Sequence, residues 1–405
     1  MQASKMPKDL KAYVTSNYVD SKSDLFAVFI ERLAKFVGSD GLYAMITQHQ
    51  WMFLSSFERL RNKINKQSII NMAHLGTKAF EEIGGEVVQT TAFVMQNTQM
   101  SDYVGAFVRL VDYDSQKKKQ AAYLNAVNST ESKDVYRTNQ SNFKNLPGFV
   151  IAYWASQTVI NSFKQFKPLD NYFDAKTGLQ TGDNTTFLRF WFEPAFTSTN
   201  IAVPAATWHK INTGGDSVRW YGQYDTVIYW PNNGLTVKSH KSSVIRNEQY
   251  YGKPGISWKR IGSSSMGFKS LPENFIFDQS GDSMFRNEEN SLISDYWMLG
   301  YLNSIVAKTM LSFIAPTLNL TAGNLNKLPI ADANNSQPSV NYLVEEAVNI
   351  AKENWDSVEM SWDFSKHPLV QHIDEHNRNW NIIPILNHCN VPNLSQKIFL
   401  EVNYG

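Results

Sequence analysis

Several groups of side chains in this sequence have types and spacings that could do chemistry. His372-Ile373-Asp374-Glu375-His376 sets two imidazoles at i and i+4, the spacing that puts both on one helical face for a zinc ion. No helical periodicity surrounds it and Pro384 follows, so a solvated polar segment is the better reading. Asp170, Asp174 and Lys176 have the composition of a nuclease's acidic pair and lysine, but their spacing is short and coincidence is preferred. Gly182-Asp183-Asn184-Thr185 suits a cation loop or, more simply, a turn. Thr47-Gln48-His49 closes a strand-like run, where α/β sheets place functional groups beyond the carboxyl edge. His49 there either faces a pocket or is a partly exposed loop residue. The largest group is basic and aromatic: Lys210, Arg219, Lys238, Lys241, Arg246, Lys259 and Arg260 lie among Trp208, Trp220, Tyr221, Trp230, Tyr250, Tyr251 and Trp258. Lysine and arginine neutralise phosphates, and arginine, asparagine and glutamine read base edges. The plainer alternative buries the tryptophans and leaves the cations on a solvated rim.

These groups need elements to position them. From Asp24 to Phe36, Leu25, Val28, Phe29, Leu33 and Phe36 share a helical face, with Glu31, Arg32 and Lys35 opposite and Ser23 as the expected N-cap. Leu42–Thr47 reads as a buried strand, Phe53–Asn65 as a helix, and Ser68–Leu75, Val87–Met95 and Ala106–Val111 as further strands. Helices alternating with buried strands predict a parallel or mostly parallel α/β sheet, ending in helix-free strands as at the edge of a mixed sheet. Gln116–Asn128 is a polar helix carrying Lys117-Lys118-Lys119. From Pro147 to Ile330 aromatic residues become dense and elements short, the texture of a β-rich recognition domain closed by an apolar helix, Trp297–Phe313. An amphipathic helix over Asn341–Trp355 precedes a polar tail.

The net charge of +1 conceals an uneven distribution. Residues 205–270 hold nine Lys/Arg against three Asp/Glu, and residues 331–405 hold four against ten. A basic middle beside an acidic end suits contact with a polyanion on one face. Cys389 is the single cysteine, which excludes an internal disulfide and cysteine-based zinc clusters and fits a reducing cytosol. Neither a secretory signal nor a membrane-spanning run is apparent, so a cytoplasmic protein without a membrane partner is expected.

Several stretches, in order, resemble one family. Ser21–Arg32 and Gly41–Met52 look like motifs that follow the catalytic tetrad of amino-methyltransferases acting on DNA adenine; His74-Leu75-Gly76 and Gly84–Val94 continue the match. Gly178–Asn184, Arg219-Trp220-Tyr221-Gly222, Leu299–Ser304 and Pro316–Leu320 resemble that family's target-recognition domain. Trp355-Asp356 and Ser361-Trp362-Asp363-Phe364 resemble a segment typical of PglX, the methyltransferase type of BREX phage-defence systems.

The resemblance implies adenine-N6 methylation of host DNA with S-adenosyl-L-methionine as the cofactor of the complete enzyme. It implies a partial methyltransferase (Rossmann-like) α/β domain over 1–115, a connector over 116–146, a β-rich target-recognition domain over 147–330 and an acidic, partly helical tail over 331–405. Asp24, Thr47 and His49 become a wall of the cofactor and base pocket; a helix N-terminal carboxylate is an equal reading of Asp24. Lys210, Arg219, Trp220, Tyr221, Lys241, Arg246, Lys259 and Arg260 become DNA contacts. Two departures stand out. The sequence has neither a glycine-rich AdoMet loop nor an Asn-Pro-Pro-Tyr tetrad, so no catalytic residue is assigned, no metal is expected, and the chain alone is expected to be inactive and to bind no cofactor. The expected partners are duplex DNA, the N-terminal methyltransferase part and other phage-defence proteins. The alternative is a non-catalytic DNA-binding specificity protein or the remnant of a split gene.

Overall fold

A computed structural model describes residues 1–81, 88–129, 132–204, 206–261, 266–287, 292–315, 319–331, 333 and 336–371. The segments 84–87, 316–318 and 372–376 discussed above lie outside them. The chain forms two compact units, Met1–Phe166 with Phe313–Pro316, and Lys167–Ser312 with Thr317–Gly405.

The first unit contains α1 (Lys8–Asn17), α2 (Leu25–Phe36), β1 (Leu42–Gln48), α3 (Glu58–Ile64), β2 (Ser68–Gly76), β3 (Thr90–Gln96), β4 (Val104–Arg109), α4 (Gln116–Asn128), β5 (Val135–Asn139) and α5 (Gln157–Gln165). Its sheet has the order β1-β3-β2-β4-β5. The expectation of a mostly parallel sheet is corrected: only β2 and β4 pair in parallel, and β1–β3, β3–β2 and β4–β5 are antiparallel. The physical reason lies in the links. β1 and β2, joined through α3, do run the same way, as a helical crossover requires. β3 follows with no helix among the described residues of its link, so it returns in the opposite sense and wedges between them.

Three local readings also change. Asp24, not Ser23, caps α2, its carboxylate accepting from the Phe26 amide at 3.5 Å. The buried face of α2 is Ala27, Val28, Ile30 and Glu31, whereas Phe29 and Phe36 are 54% and 66% exposed. Glu31 turns inward because partners meet it there: Ser21 Oγ donates to Oε2 at 2.8 Å and Lys63 Nζ to Oε1 at 2.8 Å. A buried carboxylate persists only when so compensated. β1 is an edge strand with one open face, Tyr43 and Thr47 turning in while Leu42 and Ile46 are 59% and 61% exposed.

The core beneath this sheet includes Trp51, Met52, Phe53, Met72, Phe93, Phe107 and Phe143. Arg61, also buried, donates to the carbonyls of Gly148 (2.7 Å), Trp51 (2.9 Å) and Leu54 (2.7 Å), tying three irregular segments to α3. Residues 116–146, expected as a connector, supply α4 and β5 to this unit, and Phe143 to its core.

The second unit contains β6 (Lys167–Pro168), β7 (Phe173–Lys176), α6 (Asn184–Phe187), β8 (Leu188–Phe190), β9 (Trp208–Asn212), β10 (Thr226–Tyr229), α7 (Pro231–Ser239), β11 (Gly255–Trp258), β12 (Phe268–Leu271), β13 (Ile276–Phe277), β14 (Ser283–Arg286), α8 (Asp295–Asn303), α9 (Ile305–Ile314), α10 (Ala322–Leu325), β15 (Pro329–Ile330), α11 (Gln337–Asp356) and α12 (Pro368–Gln371). Two four-stranded sheets, β13-β9-β10-β8 and β12-β11-β14-β7, and the pair β15-β6 stand beside the helices α6 to α12, so this unit is mixed α/β. The single apolar helix expected over Trp297–Phe313 is two helices, because Ser304 adopts an extended ψ of 159° between them. α8 packs against α11, closely enough at Gly300 that a Cβ there would meet Val344 Cγ2 at 2.8 Å. Thus α11, read as part of a tail, is built into this unit.

Candidate base-pocket wall and nucleic-acid interface

In the first unit, β1 delivers Thr47 and the turn after it delivers His49, both buried. Thr47 Oγ1 accepts from Trp51 Nε1 at 3.1 Å and is within 3.0 Å of the Gln48 carbonyl, to which it donates. His49 is no loop residue in solvent. Its Nδ1 lies 2.8 Å from Nε2 of His74 on β2, whose Nδ1 lies 3.0 Å from the Tyr153 hydroxyl. Phe53 meets the His49 ring edge-on at 5.3 Å, and Tyr153 and Trp154 enclose His74. Burial pushes His49 down to about 4. Burial first, then the charges of His49, Arg109 and Lys119, hold His74 well below the ordinary histidine range. The three side chains form a neutral, hydrogen-bonded line in an aromatic box. Sequence reasoning singled out His49, named His74 only within the His74-Leu75-Gly76 match without linking it to His49, and gave Tyr153 no part.

Asp24 stands apart from that line. Its Oδ1 accepts from the Phe26 amide at 3.5 Å, as the cap of α2. The polar atoms of Thr47 and His49 are engaged inside the protein, Thr47 Oγ1 by Trp51 and the Gln48 carbonyl and His49 Nδ1 by His74.

In the second unit the basic residues divide by what they touch. Lys210 is half-buried, its ammonium 5.1 Å from the Phe275 ring centre and 5.7 Å from that of Trp362. Burial lowers its pKa, as for an ammonium partly removed from water. Lys259 reaches Asp216 at 4.0 Å, and Arg260 reaches the fully buried Asp282 at 4.0 Å. Lys238 pairs with Glu248. Lys269 is buried, donating to the Gly222 carbonyl at 2.9 Å with its ammonium 4.1 Å from the Tyr224 ring centre. The excess of positive charge counted along the sequence is therefore partly spent inside the unit. Lys241 is exposed, and Arg219, Trp220, Tyr221 and Arg246 are partly exposed. Trp230 and Trp258 are core residues. Tyr250, by contrast, donates to Asp174 Oδ2 at 2.8 Å, and Lys176 pairs with the same carboxylate at 2.9 Å, so that acidic group is a structural ion pair. Asp183 caps α6 through the Thr186 amide at 3.1 Å, so the stretch expected as a turn is the start of a short helix.

Among the described residues no group of three or more metal-ligating side chains occurs, and no helix is long and apolar enough to cross a membrane.

Residues 1–80 match the family model described as Eco57I restriction-modification methylase. The chain is 43% identical over 397 residues to the adenine-specific methyltransferase PglX of Lacticaseibacillus casei (strain Zhang), covering 94% of this chain and 32% of that protein. It is 36% identical over 370 residues to the adenine-specific methyltransferase BrxX of Escherichia coli O9:H4 (strain HS), covering 91% of this chain and 30% of that protein. The chain thus spans about a third of the length of the curated relatives it matches. Among solved structures it is similar to the Type IIL restriction-modification enzyme MmeI in complex with DNA, at 11% identity and a TM-score of 0.48, covering 90% of this chain and 49% of that one.

Proposed function

Since the chain belongs to the family of the PglX and BrxX adenine-specific methyltransferases, we propose that it is the DNA-recognising third of a site-specific adenine-N6 DNA methyltransferase that marks host DNA in phage defence. The observation that carries this is the 43% identity sustained over 94% of the chain. The second unit supplies the contact with duplex DNA, through Arg219, Trp220, Tyr221, Lys241 and Arg246 on its partly or fully exposed surface. The first unit supplies a wall to the pocket that receives the target base once it has left the stack, with the His49–His74–Tyr153 line stiffening that wall. S-adenosylmethionine, when bound by the complete enzyme, supplies the methyl group. A second reading takes the chain as a separate, non-catalytic specificity part of that system.

Mapping N6-methyladenine in host DNA with and without the coding region tests the proposal. Loss of the mark at one sequence motif is expected, and an unchanged methylation map would overturn it. Purified chain incubated with tritiated S-adenosylmethionine and host DNA then separates the two readings. Transfer of label by the 405 residues alone would remove the non-catalytic one.

A further inference from the structure

Between the loop before β10 and the C-terminal end of α11, the second unit has an open groove of about 350 Å³ lined by Arg219, Tyr221, Gln223, Asn354, Trp355 and Val358 among others. We infer that this groove reads base edges of duplex DNA, with Arg219 and Gln223 from the loop and Asn354 from α11 as the reading side chains. The inference rests on the DNA-recognition role proposed above and adds to it a site half built from the helix that the charge pattern assigned to an acidic tail.

The loop is built to hold an uncommon shape. Trp220 and Gln223 have φ of 71° and 59°, a left-handed region that side chains other than glycine rarely occupy, and Gly222 has φ of 124°. Such backbone persists only where its surroundings over-determine it. Here they do. The Trp220 amide donates to the Phe268 carbonyl at 2.9 Å, and the Ser270 amide donates to the Trp220 carbonyl at 2.8 Å. From beneath, buried Lys269 donates to the Gly222 carbonyl at 2.9 Å and the Gln223 carbonyl at 3.4 Å. Gly222 packs on Trp355, whose ring atom Cε3 stands 3.6 Å from where a Cβ would be. The opposite wall is equally fixed: Lys352 pairs with Asp356 and Asp363, and its ammonium lies 5.6 Å from the Tyr221 ring centre.

This pairing decides the occupant. Lys352 is satisfied by two carboxylates of its own neighbourhood, so it is a poor anchor for a phosphate. The side chains of Arg219, Gln223 and Asn354 have no hydrogen-bond or ion-pair partner among the described residues, and all three line the groove. One guanidinium and two amides between aromatic walls match base edges: arginine bridges the two acceptors of guanine, and asparagine or glutamine meets adenine's acceptor and amine. Phosphate contact falls instead to exposed cations outside the groove, such as Lys241.

The test is enrichment from a pool of randomised duplexes by the full 405-residue chain, comparing wild type with Arg219→Lys, Asn354→Ala and Lys241→Ala, each first checked for an unchanged melt. Wild type should enrich a defined motif. Arg219→Lys, which keeps the charge but loses the two-pronged geometry, and Asn354→Ala should each lose preference at one base position by roughly tenfold or more. Lys241→Ala should keep the motif and bind more weakly. Retention of the full wild-type preference by both groove variants would overturn the inference and leave DNA recognition standing. An equal loss of affinity by Asn354→Ala for every duplex would also overturn it, making the groove a backbone contact. If the wild-type chain binds no duplex, the recognition role fails at its source and the groove assignment with it.

Discussion

His49 Nδ1 and His74 Nε2 lie 2.8 Å apart in a buried aromatic box, so each ring supplies the other's hydrogen-bond partner where water cannot. One proton is shared along that contact, and the Tyr153 hydroxyl completes the line at 3.0 Å from His74 Nδ1. Whichever tautomer holds, the line is satisfied with both rings neutral.

Acid should therefore loosen the first unit. Both histidines titrate lower in the fold than in the unfolded chain, His49 at about 4 against 6.5. Their stabilisation is present above pH 6.5 and is lost as pH falls towards 4, on the order of 3 kcal/mol for His49. The buried Asp278 and Asp282 titrate high and act in the opposite sense over this range, so the comparison must be with a variant. The melting temperature of a His49→Gln, His74→Gln chain should fall less between pH 6.5 and 4.5 than that of wild type. Parallel curves would mean that neither ring is held neutral.

Lys269 should give a second pH dependence at the other end of the scale. Burial pushes its ammonium down to about 7, against 10.5 when unfolded. The unfolded chain thus binds a proton that the fold rejects between about pH 7 and 10, and stability should rise with pH across that interval. Several buried tyrosines, raised by burial, reverse the trend above pH 10, which makes 7 to 9.5 the useful window. Lys269→Met should flatten the rise. It should also free the loop at Gly222 and Gln223, seen as faster amide exchange there.

How far the sequence could be read depended on whether a feature's cause lay nearby. Both α2 and α4 stand where they were expected, with α2 starting one residue later because Asp24 rather than Ser23 caps it. The inward face of α2 did not, because Glu31 is buried by Ser21 and Lys63, which reach it only in the fold. Similarly, the end of β1 was legible as a strand end leading into His49, whereas His49's partner lies 25 residues on and needs the β1-β3-β2 order to meet it. Counting charge along the basic stretch could not show that Lys269 is buried or that Arg260 serves Asp282. In the second unit, nothing local linked the Arg219 loop to α11.

β1 should make the chain self-associate. It pairs only with β3, leaving its other edge without a strand partner among the described residues, and Leu42 and Ile46 are largely exposed on it. An open strand edge bearing apolar side chains is a template for pairing with another copy. Ile46→Lys should lower the sedimentation-average mass at high concentration without lowering the melting temperature. A wild-type chain that stays monomeric at millimolar concentration would contradict this.

Arg260 and Lys241 should part company when both are tested on DNA. The sequence treats them alike, as cations in one basic stretch, but their surroundings differ. Arg260 sits 4.0 Å from Asp282, a carboxylate with 0% exposure, and its backbone is fixed by bonds to Ser280 and Leu320. Lys241 is exposed at the turn after α7. If Lys241 meets a phosphate, Lys241→Ala should reduce the slope of log K against log salt by about 0.9 and weaken every duplex alike. Arg260→Ala should leave that slope unchanged and act on stability, with a sign set by Asp282. Burial raises that carboxyl to about 7 even with Arg260 beside it. At pH 5 it is protonated and loses little when the guanidinium goes; at pH 8 an uncompensated buried carboxylate remains. The destabilisation by Arg260→Ala should therefore be clearly larger at pH 8 than at pH 5, while DNA affinity measured well below the melting temperature holds. A salt slope altered by Arg260→Ala, with equal destabilisation at both pH values, would return Arg260 to the DNA surface and remove it from the support of Asp282.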